Sequence, residues 1–331
     1  MAFSWTGPFR SGQSRPCKLL QREQTLRNRA LGRGRGSKRI MTTKAGVGTA
    51  LAAPAVAVPQ KALEIISCVN LKGGVGKTAI ATNFAAFCGR AGKKTLLVDL
   101  DPQTNATFSC MDVDDWEKHA KEHGSVADLF GLRSHTNAEG RVKEAKDVLH
   151  RNAFVNVDLV PSHLDLFTID LDLAAAPARE KKLQKALRPL LGDYEIVVCD
   201  CPPNLTLPTQ NALSLSTHYL VPISPDYLSA IGVALLITRV KQLAEDLDHS
   251  IELAGIVISR VGRPAFFRSQ TVAALRKTFG AQVLAAEIKE RTAVSEAAAK
   301  HKPIYEMNDR DAVEEFNAMS REVLKRIGVN V

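Results

Sequence analysis

The sequence predicts an α/β domain built as a doubly wound, mostly parallel sheet with helices on both faces. Three observations lead there. Short runs rich in Val, Ile and Leu recur without polar alternation, segments of helical period separate them, and a Gly-rich loop follows the first run. A strand that is apolar on both faces must be covered on both faces, which a parallel sheet with crossover helices provides.

The pattern begins at Leu63. "LEIISCVNL" reads as the first strand, and Thr78–Gly89 has helical spacing. "KKTLLVDLD" is a second buried strand that ends in carboxylates. The charged stretch 112–123, "DVDDWEKHAKEH", reads as a loop. "NVDLVPS" follows as a strand, then the helix-like "AREKKLQKALRPLL" and the strand "YEIVVCDCPP". "HYLVPISPD", the apolar helix "LSAIGVALLITRVKQLAEDL" and "LAGIVISR" continue the alternation. Without an internal repeat, residues 61–331 are expected to form one domain.

Residues 1–60 differ in kind. They hold eight Arg and three Lys against the single acid Glu23, a net of +10, whereas the whole chain is +9 and residues 61–331 are therefore −1. "RNRALGRGRGSKR" and the Ala/Pro-rich "AGVGTALAAPAVAVPQ" show no helical period and are expected to lack a packed core. Three readings stand open: a basic arm that adds to nucleic-acid binding, an Arg-rich organellar presequence, or translation that begins at Met41.

Several classes are disfavoured. There is no run of 18 apolar residues, so a transmembrane helix is not expected. The six cysteines (Cys17, Cys68, Cys88, Cys110, Cys199, Cys201) form no pair of CxxC motifs, which disfavours zinc and iron–sulfur sites. Buried free thiols are expected instead.

Four places carry chemistry. The loop "VNLKGGVGKTA" lacks the glycine that G-x-x-x-x-G-K-[ST] requires, because Leu71 stands there, and it holds an extra lysine, Lys72. Gly73, Gly74, Val75 and Gly76 would wrap phosphate with backbone N–H groups, as would Ala79 at the start of the helix. Lys77 would reach the β- and γ-phosphates and Thr78 would ligate Mg²⁺. In "VDLDPQTNAT", Asp99 and Asp101 are expected not to point into the sheet together, one facing the Mg²⁺ shell and the other an attacking water. In "IVVCDCPPNLTLPTQNAL", Asp200 ends a buried strand where P-loop enzymes place a carboxylate near Mg²⁺, and Pro202 and Pro203 stiffen its exit. Residues 255–286 carry Arg260, Arg263, Arg268, Arg276 and Lys277 with no acid, a local basic face of the kind that binds DNA by counterion release. Phe266, Phe267 and Phe279 are assigned to the core.

These segments, in this order, resemble the ParA/MinD family of deviant Walker P-loop ATPases. "KGGVGKT" matches the family's K-G-G-x-G-K-[ST], "DLDPQTNAT" looks like its switch I, and "DCPPNLTLPTQNAL" resembles the Walker B and switch II segment of the ParA/Soj branch. "SEAAAKHKPIYEM" resembles that branch's C-terminal segment. The resemblance implies ATP and Mg²⁺ as cofactors, weak basal hydrolysis and an ATP-sandwich homodimer. It makes Lys72 the residue that crosses to the partner's phosphates, and Asp101 the one that orients water. Thr78, Asp99 and Asp200 would surround the metal. It further implies non-specific DNA as a track, a ParB-like activator, and a cytoplasmic, nucleoid-associated protein. Arg263, Arg268 and Arg276 are the arginines expected on DNA.

Two rivals remain. A MinD-like switch would control membrane or scaffold docking, but the mixed charges of "DAVEEFNAMSREVLKRIGVNV" speak against a lipid-binding terminal helix. A related ATP-dependent enzyme such as dethiobiotin synthetase is disfavoured by the doubled lysine and "DCPPN".

Overall fold

Complete burial along successive residues marks the centre of the sheet. In the computed structural model, which describes residues 63–131, 143–226, 229–262 and 266–331, β2 (Thr95–Asp99) and β5 (Ile196–Asp200) are buried at every position. β1 (Glu64–Cys68) lies beside β5 and β6 (His218–Ile223), and β7 (Glu252–Val261) and β8 (Val283–Lys289) extend one side. β3 (His150–Phe154) and β4 (Val157–Val160) complete the other, in the order β3-β4-β2-β5-β1-β6-β7-β8. Every neighbouring pair is parallel except the β3–β4 hairpin.

The eleven helices among the described residues are α1 (Lys77–Arg90), α2 (Asn105–Phe108), α3 (Val113–Glu122), α4 (Val126–Phe130) and α5 (Ile169–Asp172), followed by α6 (Lys182–Leu191), α7 (Leu207–Leu215), α8 (Ser229–Asp246), α9 (Phe266–Phe279), α10 (Thr292–Ala299) and α11 (Arg310–Arg326). Successive strand side chains point to opposite faces, so alternate residues feed two cores. Ile65, Leu96, Val98, Val197 and Ile256 pack with α4, α6, α7 and α8. Ile66, Leu97, Val198 and Val257 pack with α1 and α11. The expected doubly wound architecture is what the chain adopts.

Two strands escaped the sequence reading, and both are edges. β3 and β8 are only partly buried, so neither shows the continuous apolar run that marked the others. The charged stretch 112–123 is also not a loop. Asp112 caps α3 by accepting from Asp115 N at 2.8 Å, and the helix turns Trp116, His119 and Ala120 inward. Trp116 Nε1 donates to Ser162 O at 3.0 Å and meets Phe108 edge-on at 5.4 Å, so α3 clamps α2 against the exit of β4. The five described cysteines are free and buried, as expected. Residues 1–60, with their candidate start Met41, lie outside the described residues, as do Cys17 and the side chains of Phe266 and Phe267. Phe279 packs partly buried against the core.

Helix α1 presses on the β3–β4 turn through Gly89, where a Cβ would come to 2.1 Å from Val155 O. Asn156 Nδ2 closes the contact by donating to Gly89 O at 3.0 Å. Backbone cannot yield as a flexible side chain does, so Gly89→Ala is expected to cost about 1–3 kcal/mol and lower Tm by about 2–12 °C. Thermal unfolding followed by circular dichroism checks this, and an unchanged Tm would refute the close packing.

Candidate functional site

The carboxyl ends of β1, β2 and β5 meet in register: Cys68 pairs with Asp200, and Asp200 pairs with Asp99. In a parallel sheet this edge is where ligands bind, because each strand delivers a loop there. The loop from β1 to α1 is anchored by Asn70, whose Nδ2 donates to Pro222 O at 2.5 Å and whose Oδ1 accepts from Lys72 N at 2.9 Å. Gly74 and Gly76 adopt φ of 73° and 81°, left-handed values that suit glycine, and Gly76 leads directly into α1. The loop therefore aims backbone N–H groups and a helix N-terminus at one point.

That point opens into a cavity of about 640 Å³ lined by Gly73, Gly74, Gly76, Lys77, Thr78 and Ala79. Asp101, Pro203, Arg260, Glu290 and Lys302 also reach it. Val75 is buried, its carbonyl 2.6 Å from Ser259 Oγ. The buried Lys77 donates to Lys72 O at 3.2 Å, which folds its ammonium back over the loop. Burial lowers the Lys77 pKa, while Asp200 and Asp101 pull the other way.

The three acids differ. Asp99 is fully buried, and both its oxygens are engaged: Oδ1 accepts from Asp101 N at 3.1 Å, and Oδ2 from Thr107 N at 2.8 Å and Thr107 Oγ1 at 2.7 Å. Burial pushes its pKa up to about 7 despite those bonds. Asp200 is equally buried, yet neither carboxylate oxygen has a hydrogen-bond partner of normal geometry. Burial and then Asp99 raise its pKa well above the carboxylate range, while Thr78 and Lys77 oppose them. Asp101 is 6% exposed and lines the cavity, with Oδ1 accepting from Gln103 N at 2.9 Å. Asp99 and Asp101 do part, as expected, but not as strand neighbours, since residues two apart on a strand share a face. β2 ends at Asp99, which turns back onto α2, and the following turn carries Asp101 to the cavity.

A buried, unpartnered carboxylate beside a threonine hydroxyl at a helix N-terminus is a set of hard oxygen donors that suits Mg²⁺. Asp200 and Thr78 fit that role. Asp99 already gives its lone pairs to Thr107 and Asp101, so it acts first as a tether for α2.

Lys72 is exposed at the rim and pairs with Asp226 of its own chain at 2.6 Å. The basic stretch is redistributed. Arg260 belongs to the loop: its Nη1 donates to Gly74 O at 2.7 Å and its Nη2 to Glu290 at 2.7 Å. Arg276, on α9, reaches over to β8 at the sheet edge, where it donates to Leu284 O at 2.9 Å, Ala285 O at 3.3 Å and Glu287 at 2.6 Å. The expected local basic face is therefore less strongly charged than the acid-free stretch alone, because Glu287 and Glu290, just beyond it, pair with two of its arginines. Arg263 lies outside the described residues, as does the side chain of Arg268.

The sequence reading also missed Asn70, Ser259, Glu290 and Asn83, whose Oδ1 accepts from Ile304 N at 2.7 Å. Ser259 and Arg260 fall near the carboxyl end of β7, and that position was the available signal.

Fold and loop together define a P-loop nucleotide hydrolase of the deviant, two-lysine class. A family model described as "AAA domain" matches residues 63–253. The chromosome partitioning protein ParA of Myxococcus xanthus is 31% identical over 271 residues, covering 79% of this chain and 88% of that one. Soj of Bacillus subtilis, a sporulation initiation inhibitor protein, is 29% identical over 264 residues, covering 78% and 98%. A putative plasmid partition protein of Borrelia burgdorferi, solved with AMPPNP, superposes with a TM-score of 0.65 at 22% identity, covering 80% and 99%. The chain belongs to the ParA/Soj family of partitioning ATPases, and it is an ATPase.

The charge on Asp200 sets a testable balance. A carboxyl whose folded pKa is raised binds more protons folded than unfolded, so its contribution to stability falls as pH rises from about 4. Asp200→Asn removes that charge. The variant is expected to have a Tm a few degrees above wild type without nucleotide, by an amount that widens from about pH 5 to about pH 7.5. It should lose the extra stabilisation that Mg·ATP gives the wild type. Differential scanning fluorimetry reads both, and a variant that Mg·ATP still stabilises would remove Asp200 from the metal site.

Proposed function

We propose that residues 61–331 act as an ATP-switched positioning module. With Mg·ATP the chain forms a sandwich homodimer, holds non-specific DNA in the nucleoid, and is released when a ParB-like protein stimulates hydrolysis. Lys72 is the observation that carries this reading. One lysine of the loop is buried over the phosphate cradle, while the second stands exposed at the rim, its ammonium held among the described residues by a surface ion pair worth about 0–1 kcal/mol. It can leave Asp226 at little cost for the stronger field of a facing triphosphate.

In this reading Lys77 and the backbone of Gly73–Ala79 hold the phosphates. Thr78 and Asp200 hold the metal, with Asp99 supporting them through α2. Bound there, Mg²⁺ supplies charge neutralisation at the phosphates. Asp101 orients the attacking water. Exposed apolar side chains support a partner surface: Phe167 is 64% and Leu171 80% exposed, with Leu164, Ile231 and Leu235 also uncovered.

The terminal helix argues against the membrane alternative. The apolar face of α11 (Phe316, Met319, Val323, Leu324) is buried in the core against α1, leaving no apolar stripe for lipid. Among the described residues no helix is long and apolar enough to cross a membrane.

The nucleotide-trapped variant Asp101→Ala tests the switch. With Mg·ATP it is expected to run as a dimer by size-exclusion chromatography with light scattering and to shift random-sequence duplex DNA, both lost on adding Lys72→Ala. A monomer, or a dimer indifferent to DNA that instead sediments with liposomes, would sink the proposal. Within the basic stretch, Arg263→Ala with Arg268→Ala is expected to weaken DNA binding and reduce the salt slope by about 2. Arg276→Ala should lower Tm and leave that slope alone. The reverse pattern would return Arg276 to the DNA face.

A further inference from the structure

A histidine far from the loop motifs ties together two walls of the nucleotide cavity. Helix α10 ends in a Schellman turn: Lys302 N donates to Ala297 O at 3.0 Å and His301 N to Ala298 O at 3.1 Å. His301 fills the left-handed position of that turn with φ 54°, where glycine fits without strain. Histidine is among the non-glycine residues that do occupy this region, and here its ring is fixed by a hydrogen bond. Its Nδ1 lies 2.7 Å from Phe108 O, the last carbonyl of α2. A carbonyl can only accept, so Nδ1 carries the proton.

The two ends of this bridge matter. Helix α2 is the element whose Thr107 holds Asp99 and, through Ser162, the turn at Asp101: Ser162 N donates to Thr107 Oγ1 at 2.9 Å, and Ser162 Oγ to Asp101 O at 2.7 Å. On the other side, Lys302 and Pro303 line the cavity, and Ile304 N is fixed to Asn83 of α1. The segment 301–304 is thus fastened to α2 at one end and to the phosphate-loop helix at the other.

We infer that His301 is a positioning residue for ATP hydrolysis. It fixes the C-terminal end of α2 relative to α1, and so holds the Asp101 turn at its station over the phosphate loop. It is not among the residues that line the cavity, and it acts through α2.

The position of His301 permits a test that does not depend on a damaged fold. His301→Gly relieves the left-handed strain while deleting the bridge, and His301→Asn keeps a side-chain N–H donor on a residue that tolerates the same φ. Steady-state ATP hydrolysis, nucleotide affinity from a fluorescent ATP analogue and Tm are measured for the wild type and both variants. For His301→Gly the expected result is a Tm at or above wild type, analogue affinity within about twofold, and kcat reduced about tenfold, inside the range that small misplacements produce. His301→Asn is expected to recover at least half of the lost rate. Wild-type kcat in His301→Gly would overturn the inference. So would equal impairment of both variants, or a loss of rate explained by a fall in Tm or in nucleotide affinity.

Discussion

Two carboxylates on adjacent strands, Asp99 and Asp200, end in register at the carboxyl edge of a sheet that is buried on both faces. Two acids so placed repel each other where water cannot screen them, so their compensation organises everything nearby. Asp99 is compensated from within by the backbone and hydroxyl of Thr107, which fixes α2 and through it the Asp101 turn. Asp200 is compensated only in part from within: neither oxygen has a hydrogen-bond partner of normal geometry, and Thr78 and Lys77 offset burial and Asp99 without cancelling them. Lys77 lies close enough that the two charges favour one another against burial, and in the proposed holo state a metal would complete the compensation. A folded chain that leaves a buried acid unpaired stores a preference for the ligand that pairs it.

The loop above those acids is held by strands it does not belong to. Asn70 reaches β6 through Pro222 O, Ser259 reaches both Val75 O and Ile223 O, and Arg260 reaches Gly74 O. These contacts order carbonyls on the outer side of the loop and leave its N–H groups to the cavity, the arrangement an anion needs. Sheet order makes this possible, since β1 lies between β5 and β6 with β7 next in line. The same geometry gives Arg260, which is half exposed, two partners within its own chain, Gly74 O and Glu290.

How much of this was legible in the sequence followed from burial. β1, β2, β5, β6 and β7 announce themselves because each must be apolar on both faces, and the KGGVGKT loop does so because phosphate binding restricts nearly every position. β3 and β8 hide because an edge strand needs only one covered face. α3 hides because its charges lie on the solvent side, and its inward contacts rest on Trp116, His119 and Ala120. The arginines of 255–286 looked unopposed because Glu287 and Glu290 stand just past the stretch, and a local charge count does not register pairs made between elements. His301 could not be found that way either. Its role depends on a left-handed turn and on a carbonyl 193 residues distant in sequence.

The two lysines of the loop show why one motif can hold a resting state and a switch together. Lys77 is buried and committed: its ammonium caps Lys72 O and balances Asp200, so it serves the loop whether or not nucleotide is present. Lys72 is exposed and paired to Asp226 in water, where screening makes the pair nearly neutral in free energy. A contact that contributes little at rest costs little to exchange. The opposing charge that could draw Lys72 away has to be concentrated and water-excluded, and within a single chain its own cradle already has Lys77. A second set of phosphates presented from outside meets both conditions. In the proposed sandwich dimer the rim lysine would therefore respond to assembly more than to nucleotide alone.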